Sequence, residues 1–149
     1  ISMIEQIKSC NDQLANKLAS VEQNIFDTCW PPEVLKEKIN KGEFLYWIFN
    51  KNNNIVGYLG IQKSLDELQI LGIGILEEYR NTGLAKKLTA ELIRFFKNSY
   101  QNKVILEVRE SNIAAINLYK SVGFSQYGKR ENYYKNEDAI LFELEKAYV

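Results

Sequence analysis

The stretch "LQILGIGILEEYRNTGLAKKLTAELIRFFKNSYQNKVILEVR", residues 68–109, constrains the fold more than any other part of the chain. It opens and closes on short apolar runs rich in branched residues, the composition of buried strands. Between them lies an amphipathic helix, with Leu84, Leu88, Leu92 and Phe95 or Phe96 along one stripe. A helix with one apolar stripe needs a sheet or another helix to cover it, so residues 68–109 read as strand, helix, strand.

The rest of the chain extends this pattern. "IEQIK" is a short strand, and "NDQLANKLASVEQNIF" is a helix capped by Asn11, with Leu14, Leu18, Val21 and Ile25 at helical spacing. "CWPPEVLKEKINKG" supplies a loop, a second helix opened by proline, and Gly42 at its end. "FLYWIFN" and "IVGYLGIQ" flank "KNNN", a hairpin signal because asparagine tolerates left-handed backbone. After residue 109, "NIAAINLYKSVG" is a helix closed by Gly123, and "FSQYGKRENYY" and "AILFELE" are strands around the turn "KNED". The order βααβββαβαββ makes an α/β chain with a mixed sheet and helices on both faces.

At 149 residues, with no repeats and no linker-like tract, residues 1–149 read as one domain. Lys+Arg and Asp+Glu balance at 19 each, which argues against nucleic-acid binding through bulk charge. There is no histidine, and Cys10 and Cys29 lack the spacing of a zinc or redox motif, so no protein-built metal site is expected. The same absence excludes Ser-His and Cys-His nucleophiles and leaves proton transfer to Glu, Asp, Tyr, Lys, Cys or water. No apolar run reaches the roughly 18 residues of a membrane helix, and the start lacks a secretory pattern. A cytoplasmic protein is the expectation. Met3 reads as the natural start, with Ile1 and Ser2 as an appendage.

Three stretches could carry chemistry. In "EEYRNTGLAKKL" a strand end passes through a polar turn with Gly83 into a helix. The free N–H groups and partial positive charge of that helix start, with Arg80, Lys86 and Lys87 nearby, suit a phosphate. A plain strand-to-helix turn is the alternative. Neither the G-x-x-x-x-G-K-[ST] nor the G-x-G-x-x-G phosphate motif is present. In "LQILGIGIL", Gly72 and Gly74 share a strand face, through either a close ligand approach or an aromatic filling the gap. In "VILEVR", Ile105, Glu107 and Arg109 share one face, and Tyr119 follows in the next helix. Glu107 is either a base or a salt-bridged residue on a wet face, and Tyr119 either a functional hydroxyl or a core aromatic. Asn112 either caps the helix or offers its amide to a ligand.

"RNTGLA" at residues 80–85 matches the [RQ]-x-x-G-x-[GA] loop of the GCN5-related N-acetyltransferase (GNAT) superfamily. With "LEVRESNIAAINLYKSVGF", "KRENYY" and "EDAILFELE", the chain resembles, within that superfamily, the bacterial RimI-type N-terminal acetyltransferases of ribosomal proteins. The resemblance runs from about residue 68 to 145 and is weak over the first 60 residues. It implies about seven strands in a mostly antiparallel sheet, whose two central parallel strands splay apart, and four helices. It implies acetyl-CoA as cosubstrate, its pantetheine arm in the splay against the backbone of Ile73, Gly74 and Ile75. The pyrophosphate would lie on Arg80, Asn81, Thr82, Gly83, Leu84, Ala85 and Lys86, with Asn112 as a further contact. Glu107 takes the family's general-base position and Tyr119 its general-acid position.

The acceptor implied is a protein N-terminus, with Tyr133 and Tyr134 walling a peptide groove. The chain departs from the family's Phe-Pro pair between the first two helices, where Trp30-Pro31 stands instead. A small-amine acetyltransferase (polyamine, antibiotic or amino acid) and a non-catalytic acyl-CoA-binding module are the competing readings.

Overall fold

The computed structural model describes residues 4–25 and 30–149; Ile1, Ser2, Met3, Phe26, Asp27, Thr28 and Cys29, and the side chains of Asn24, Ile25 and Tyr148, lie outside the described residues. Its central unit is strand β4 (Glu67–Ile75), helix α3 (Leu84–Lys97) and strand β5 (Lys103–Arg109), in that order. Leu84, Leu88, Leu92 and Phe96 are buried along α3. Phe95 packs edge-on against Trp47 at 5.6 Å, so both phenylalanines of the stripe meet the sheet.

Before this unit come β1 (Ile4–Ile7), α1 (Asp12–Ile25), α2 (Pro32–Asn40), β2 (Phe44–Lys51) and β3 (Asn54–Lys63). After it come α4 (Ile113–Ser121), β6 (Ser125–Tyr134) and β7 (Glu137–Glu145). All seven strands join one sheet in the order β1-β2-β3-β4-β5-β7-β6. Among the described residues only the β4–β5 pair is parallel. The expected turn chemistry is present: Asn52 and Asn53 have φ of 53° and 65°, as a two-residue hairpin turn requires. Asn11 accepts a hydrogen bond from the Leu14 amide at 2.8 Å and caps α1.

The sheet separates two cores. On one face Leu88, Leu92 and Phe96 of α3 and Tyr119 of α4 pack on Leu68, Ile70, Val104, Leu106 and Val108. On the other, Ala15, Leu18 and Ala19 of α1 and Leu35 and Ile39 of α2 cover Phe44, Tyr46, Ile48 and Tyr58. Among the described residues no helix is long and apolar enough to cross a membrane.

Two features of the α1/α2 face bear on the site. The first is the Tyr46 ring, which lies over Gly60: a Cβ there would meet its Cε1 and Cζ, the latter at 2.6 Å. The second is Glu22, 7% exposed. The apolar stripe expected for α1 is rotated in part: Leu18 is fully buried, Leu14 and Val21 are only partly buried, and Ala15, Ala19 and Glu22 point inward. Small alanines let the helix approach the sheet, and that turns a carboxylate into the core.

Gly60→Ala is expected to destabilise the protein by about 1–3 kcal/mol, because the buried Tyr46 ring must be displaced; urea unfolding measures it. Burial pushes the Glu22 pKa up to about 7, with the hydrogen bond from Tyr46 pulling the other way. The native state therefore retains a proton that the unfolded chain releases near 4.5. The stability this confers is complete below that value and is lost as pH rises through about 7. The advantage of Glu22→Gln over the parent should widen by up to roughly 3 kcal/mol from about pH 4 to about pH 8; parallel stability curves would refute the assignment.

Candidate active site

The parallel pairing of β4 and β5 spans only Glu67–Lys103, Leu68–Val104 and Gln69–Ile105. Beyond it the strands follow different neighbours: β4 stays with β3 as far as Ile75–Gly57, and β5 stays with β7 as far as Arg109–Ala139. A bulge starts the divergence. Gly60 pairs with Gly72 but Ile61 with Ile70, so Leu71 is an extra residue in β4, and such an insertion bends the strand that carries it. Ile73, Gly74 and Ile75 therefore line a cleft in which sheet pairing has been given up. Ile73 and Ile75 turn toward the α3/α4 core, which places Gly72 and Gly74 on the opposite face, as their spacing predicted.

Strand alternation distributes the two reactive candidates across the sheet. Leu106 and Val108 are buried toward α3 and α4, so Glu107 faces the α1/α2 side. Tyr119, 4% exposed, belongs to the α3/α4 core and packs edge-on against Phe124 at 5.5 Å. Burial pushes its hydroxyl pKa far above the usual tyrosine value. A tyrosine in that state stays protonated and remains a donor. The pair thus lies on opposite faces of the cleft, reachable by one ligand only through the gap between the strands.

The turn into α3 is built for an anion. Gly83, at φ +80°, is the N-cap residue and offers no side-chain cap, and a Cβ there would meet nothing within 4 Å. The first turn of α3 contains no acidic residue, and the first amide of this start bonded within the helix is that of Lys87, to the Gly83 carbonyl at 3.1 Å. The amides of Leu84, Ala85 and Lys86 come before it and are the unpaired donors of a helix start. Asn81, at φ 62°, bends the approach. Thr82 donates its hydroxyl to the Tyr79 carbonyl at 2.6 Å, and Arg80 donates Nε to the Ile75 carbonyl at 3.0 Å, tying the loop to the end of β4. Asn112 accepts from the Ala115 amide at 3.1 Å and so caps α4 through Oδ1.

Strand β6 folds over the outer end of β5. Its register breaks between Arg130 and Tyr134, and Asn132, at φ 54°, donates its amide to Asp138 at 2.8 Å. The break brings Tyr133 to Glu107, to which its hydroxyl donates, raising the tyrosine's pKa. Arg130 Nη2 lies 3.5 Å from Glu107 Oε1, and its guanidinium sits 5.4 Å from the Tyr133 ring centre. Arg109 covers Tyr134 at 4.2 Å and pairs with Glu137 at 3.3 Å. Trp30 is not part of this group. It packs edge-on against Phe44 at 5.2 Å, at the start of β2, with β3 between that strand and β4.

An open groove of about 540 Å³ lies elsewhere, lined among others by Lys17, Lys51, Asn54 and Tyr79, and includes none of the candidate site residues. The cleft is the better candidate because it joins unpaired strand edges to an uncapped helix start. Glu22, on the same face as Glu107, escaped the sequence reading. The available signal was its spacing: it lies three and seven residues after Ala19 and Ala15, a carboxylate on the small-residue face of its helix.

Comparison with known proteins agrees with this geometry. Residues 12–124 match the model of the Acetyltransferase (GNAT) family. The chain is 36% identical over 135 residues to the [ribosomal protein bS18]-alanine N-acetyltransferase of Haemophilus influenzae, covering 90% of this chain and 88% of that one. It is 30% identical over 138 residues to the N-alpha-acetyltransferase RimI of Mycobacterium tuberculosis, covering 89% and 85%. The crystal structure of the ribosomal-protein-S18-alanine N-acetyltransferase from Escherichia coli superposes with a TM-score of 0.82 at 28% identity, over 96% of this chain and 94% of that one. With its splayed parallel strands and glycine-capped helix start, the chain belongs to the GNAT acetyltransferase family, resembles its RimI branch, and is an acetyl-CoA-dependent N-acetyltransferase.

Proposed function

We propose that the acceptor is the α-amine of a protein N-terminus, that of a ribosomal protein in the cytoplasm. Glu107 acts as general base and Tyr119 as general acid. The observation that carries this reading is the placement of a carboxylate and a protonated hydroxyl on opposite faces of one cleft, at the end of which α3 presents free amides. Similarity to alanine N-acetyltransferases supports the acceptor class.

Acetyl-CoA supplies an activated acetyl thioester. The residues present fit it: the open cradle above Gly83 and the amides of Leu84, Ala85 and Lys86 suit the pyrophosphate, with Arg80, Asn81 and Thr82 shaping the loop. The strand edge at Ile73, Gly74 and Ile75 suits an amide-bearing arm, as an added strand would pair there. Oδ1 of Asn112 caps α4, which leaves its amide nitrogen for the cofactor.

On the acceptor side Glu107 removes a proton from the ammonium, directly or through a water. An α-amino group near pKa 8 is about a tenth neutral at pH 7, whereas a lysine near 10.4 is less than a thousandth neutral. A carboxylate therefore serves the former well. As the nitrogen–carbon bond forms and the carbon–sulfur bond breaks, Tyr119 donates toward the departing sulfur. No covalent enzyme intermediate is needed. Tyr133 and Tyr134 wall the acceptor groove, and Trp30, farther out on Phe44, is placed for later residues of a peptide.

Gly83→Glu should leave the protein folded and abolish acetyl-CoA binding by calorimetry, since a carboxylate would occupy the anion's place; near-normal affinity would show that the loop is misassigned. Glu107→Gln should keep acetyl-CoA affinity and lower turnover by roughly 10²–10⁴, less at high pH where the amine is already neutral. Tyr119→Phe should slow turnover, and less so with a more acidic leaving thiol. Peptides beginning with a small residue should gain the acetyl group at the α-amine by mass spectrometry. Modification mainly of lysine side chains, or of a polyamine and no peptide, would favour the small-amine reading.

A further inference from the structure

Glu22 has no part in the chemistry above, yet it is placed where a carboxylate is costly. It lies in the last turn of α1 and is 7% exposed. Its Oε2 accepts from the Tyr46 hydroxyl at 3.4 Å, long for such a bond, and its Oε1 is buried with no partner among the described residues. Buried oxygens of ionisable groups are almost always satisfied, so one that is not points to a donor supplied from outside.

Tyr46 fixes where this oxygen lies. The Tyr46 atoms that a Cβ on Gly60 would meet first are Cε1 and Cζ, so the hydroxyl end of the ring stands over β3. Gly60 pairs across to Gly72 of β4, three residues beyond the last β4–β5 pair. The Glu22 carboxyl is thus held with the Tyr46 hydroxyl over β3, on the face of the sheet opposite Leu106 and Val108, which is also the face of Glu107.

We infer that Glu22 binds the acceptor: its unpartnered Oε1 accepts a hydrogen bond from the substrate's primary amine, on the wall of the cleft across from Glu107. The ligand class is a primary aliphatic ammonium ion. Glu22 holds the nitrogen, and the proton leaves to Glu107. A carboxyl that titrates near neutrality when the cleft holds no cation gains its charge readily when one arrives. The inference rests on acetyl transfer to an amine, and it does not depend on which amine is used or on Glu107 being the base.

The test is Glu22→Gln, which keeps the shape and removes the charge. Acceptor KM should rise about 10- to 100-fold, the loss of one charge-assisted hydrogen bond. kcat should stay within a few-fold, acetyl-CoA affinity should not change, and the variant should be at least as stable as the parent. A structural role alone would predict none of this split between KM and kcat. Assays use a short peptide beginning with alanine and, in parallel, spermidine, with the effect expected on whichever is acetylated. Calorimetric titration of alanine amide into the CoA-bound protein reads the same contact without turnover and should show the same weakening. Unchanged KM with unchanged amide affinity would overturn the assignment, as would a fall in kcat at constant KM. Wild-type acetylation of spermidine but not peptide would overturn the N-terminal reading and leave this one intact.

Discussion

The parallel contact between β4 and β5 lasts for three residue pairs, and the rest of the site depends on its ending there. A parallel pair buried between two helical layers would ordinarily run on, because every unpaired backbone group in a buried sheet is costly. Here the extra residue Leu71 bends β4 away, while β7 holds β5 in register through Arg109. Two strand edges are left facing a gap. A ligand with its own amides is the natural way to satisfy them, so the fold's local instability and its capacity to bind a cofactor have one origin.

The same separation arranges the chemistry. Side-chain alternation along β5 sends Leu106 and Val108 into one core and Glu107 to the other face. Tyr119 enters the first core from α4 and is desolvated there, which keeps its hydroxyl protonated. Without the gap these groups would be isolated by a continuous sheet. With it, one ligand lying in the cleft can reach both faces of the sheet. The anion end follows from local geometry alone: a left-handed glycine at the N-cap leaves the α3 amides open, and the Arg80 and Thr82 hydrogen bonds hold the loop against β4.

The α1/α2 face is shaped by small residues. Gly60 lets the Tyr46 ring lie over β3. Ala15 and Ala19 let α1 approach the sheet, and Glu22 is buried with them. On the far side the broken register of β6 carries Tyr133 and Arg130 onto Glu107. One carboxylate is thus surrounded by donors and the other is left short of them, a difference in hydrogen bonding rather than in residue type.

The sequence by itself determined the elements, because their signals are local. The period of α3, the asparagines at 52 and 53, the caps at Asn11 and Asn112 and the turn at Gly83 each express a backbone preference within a few residues. The turn into α3 was legible for the same reason, as was the alternation that separates Glu107 from Leu106. Tertiary structure decided what depends on residues far apart in the chain. The rotation of α1 about its axis was set by contact with β2 and β3, so Leu18 of the expected stripe is buried while Leu14 and Val21 lie at its edge and Ala15, Ala19 and Glu22 turn inward. The bulge at Leu71 and the end of parallel pairing at Gln69 arise from competition between neighbouring strands, which no single strand's sequence records. The distance of Trp30 from the cleft was likewise fixed only when α1 and α2 settled on the sheet.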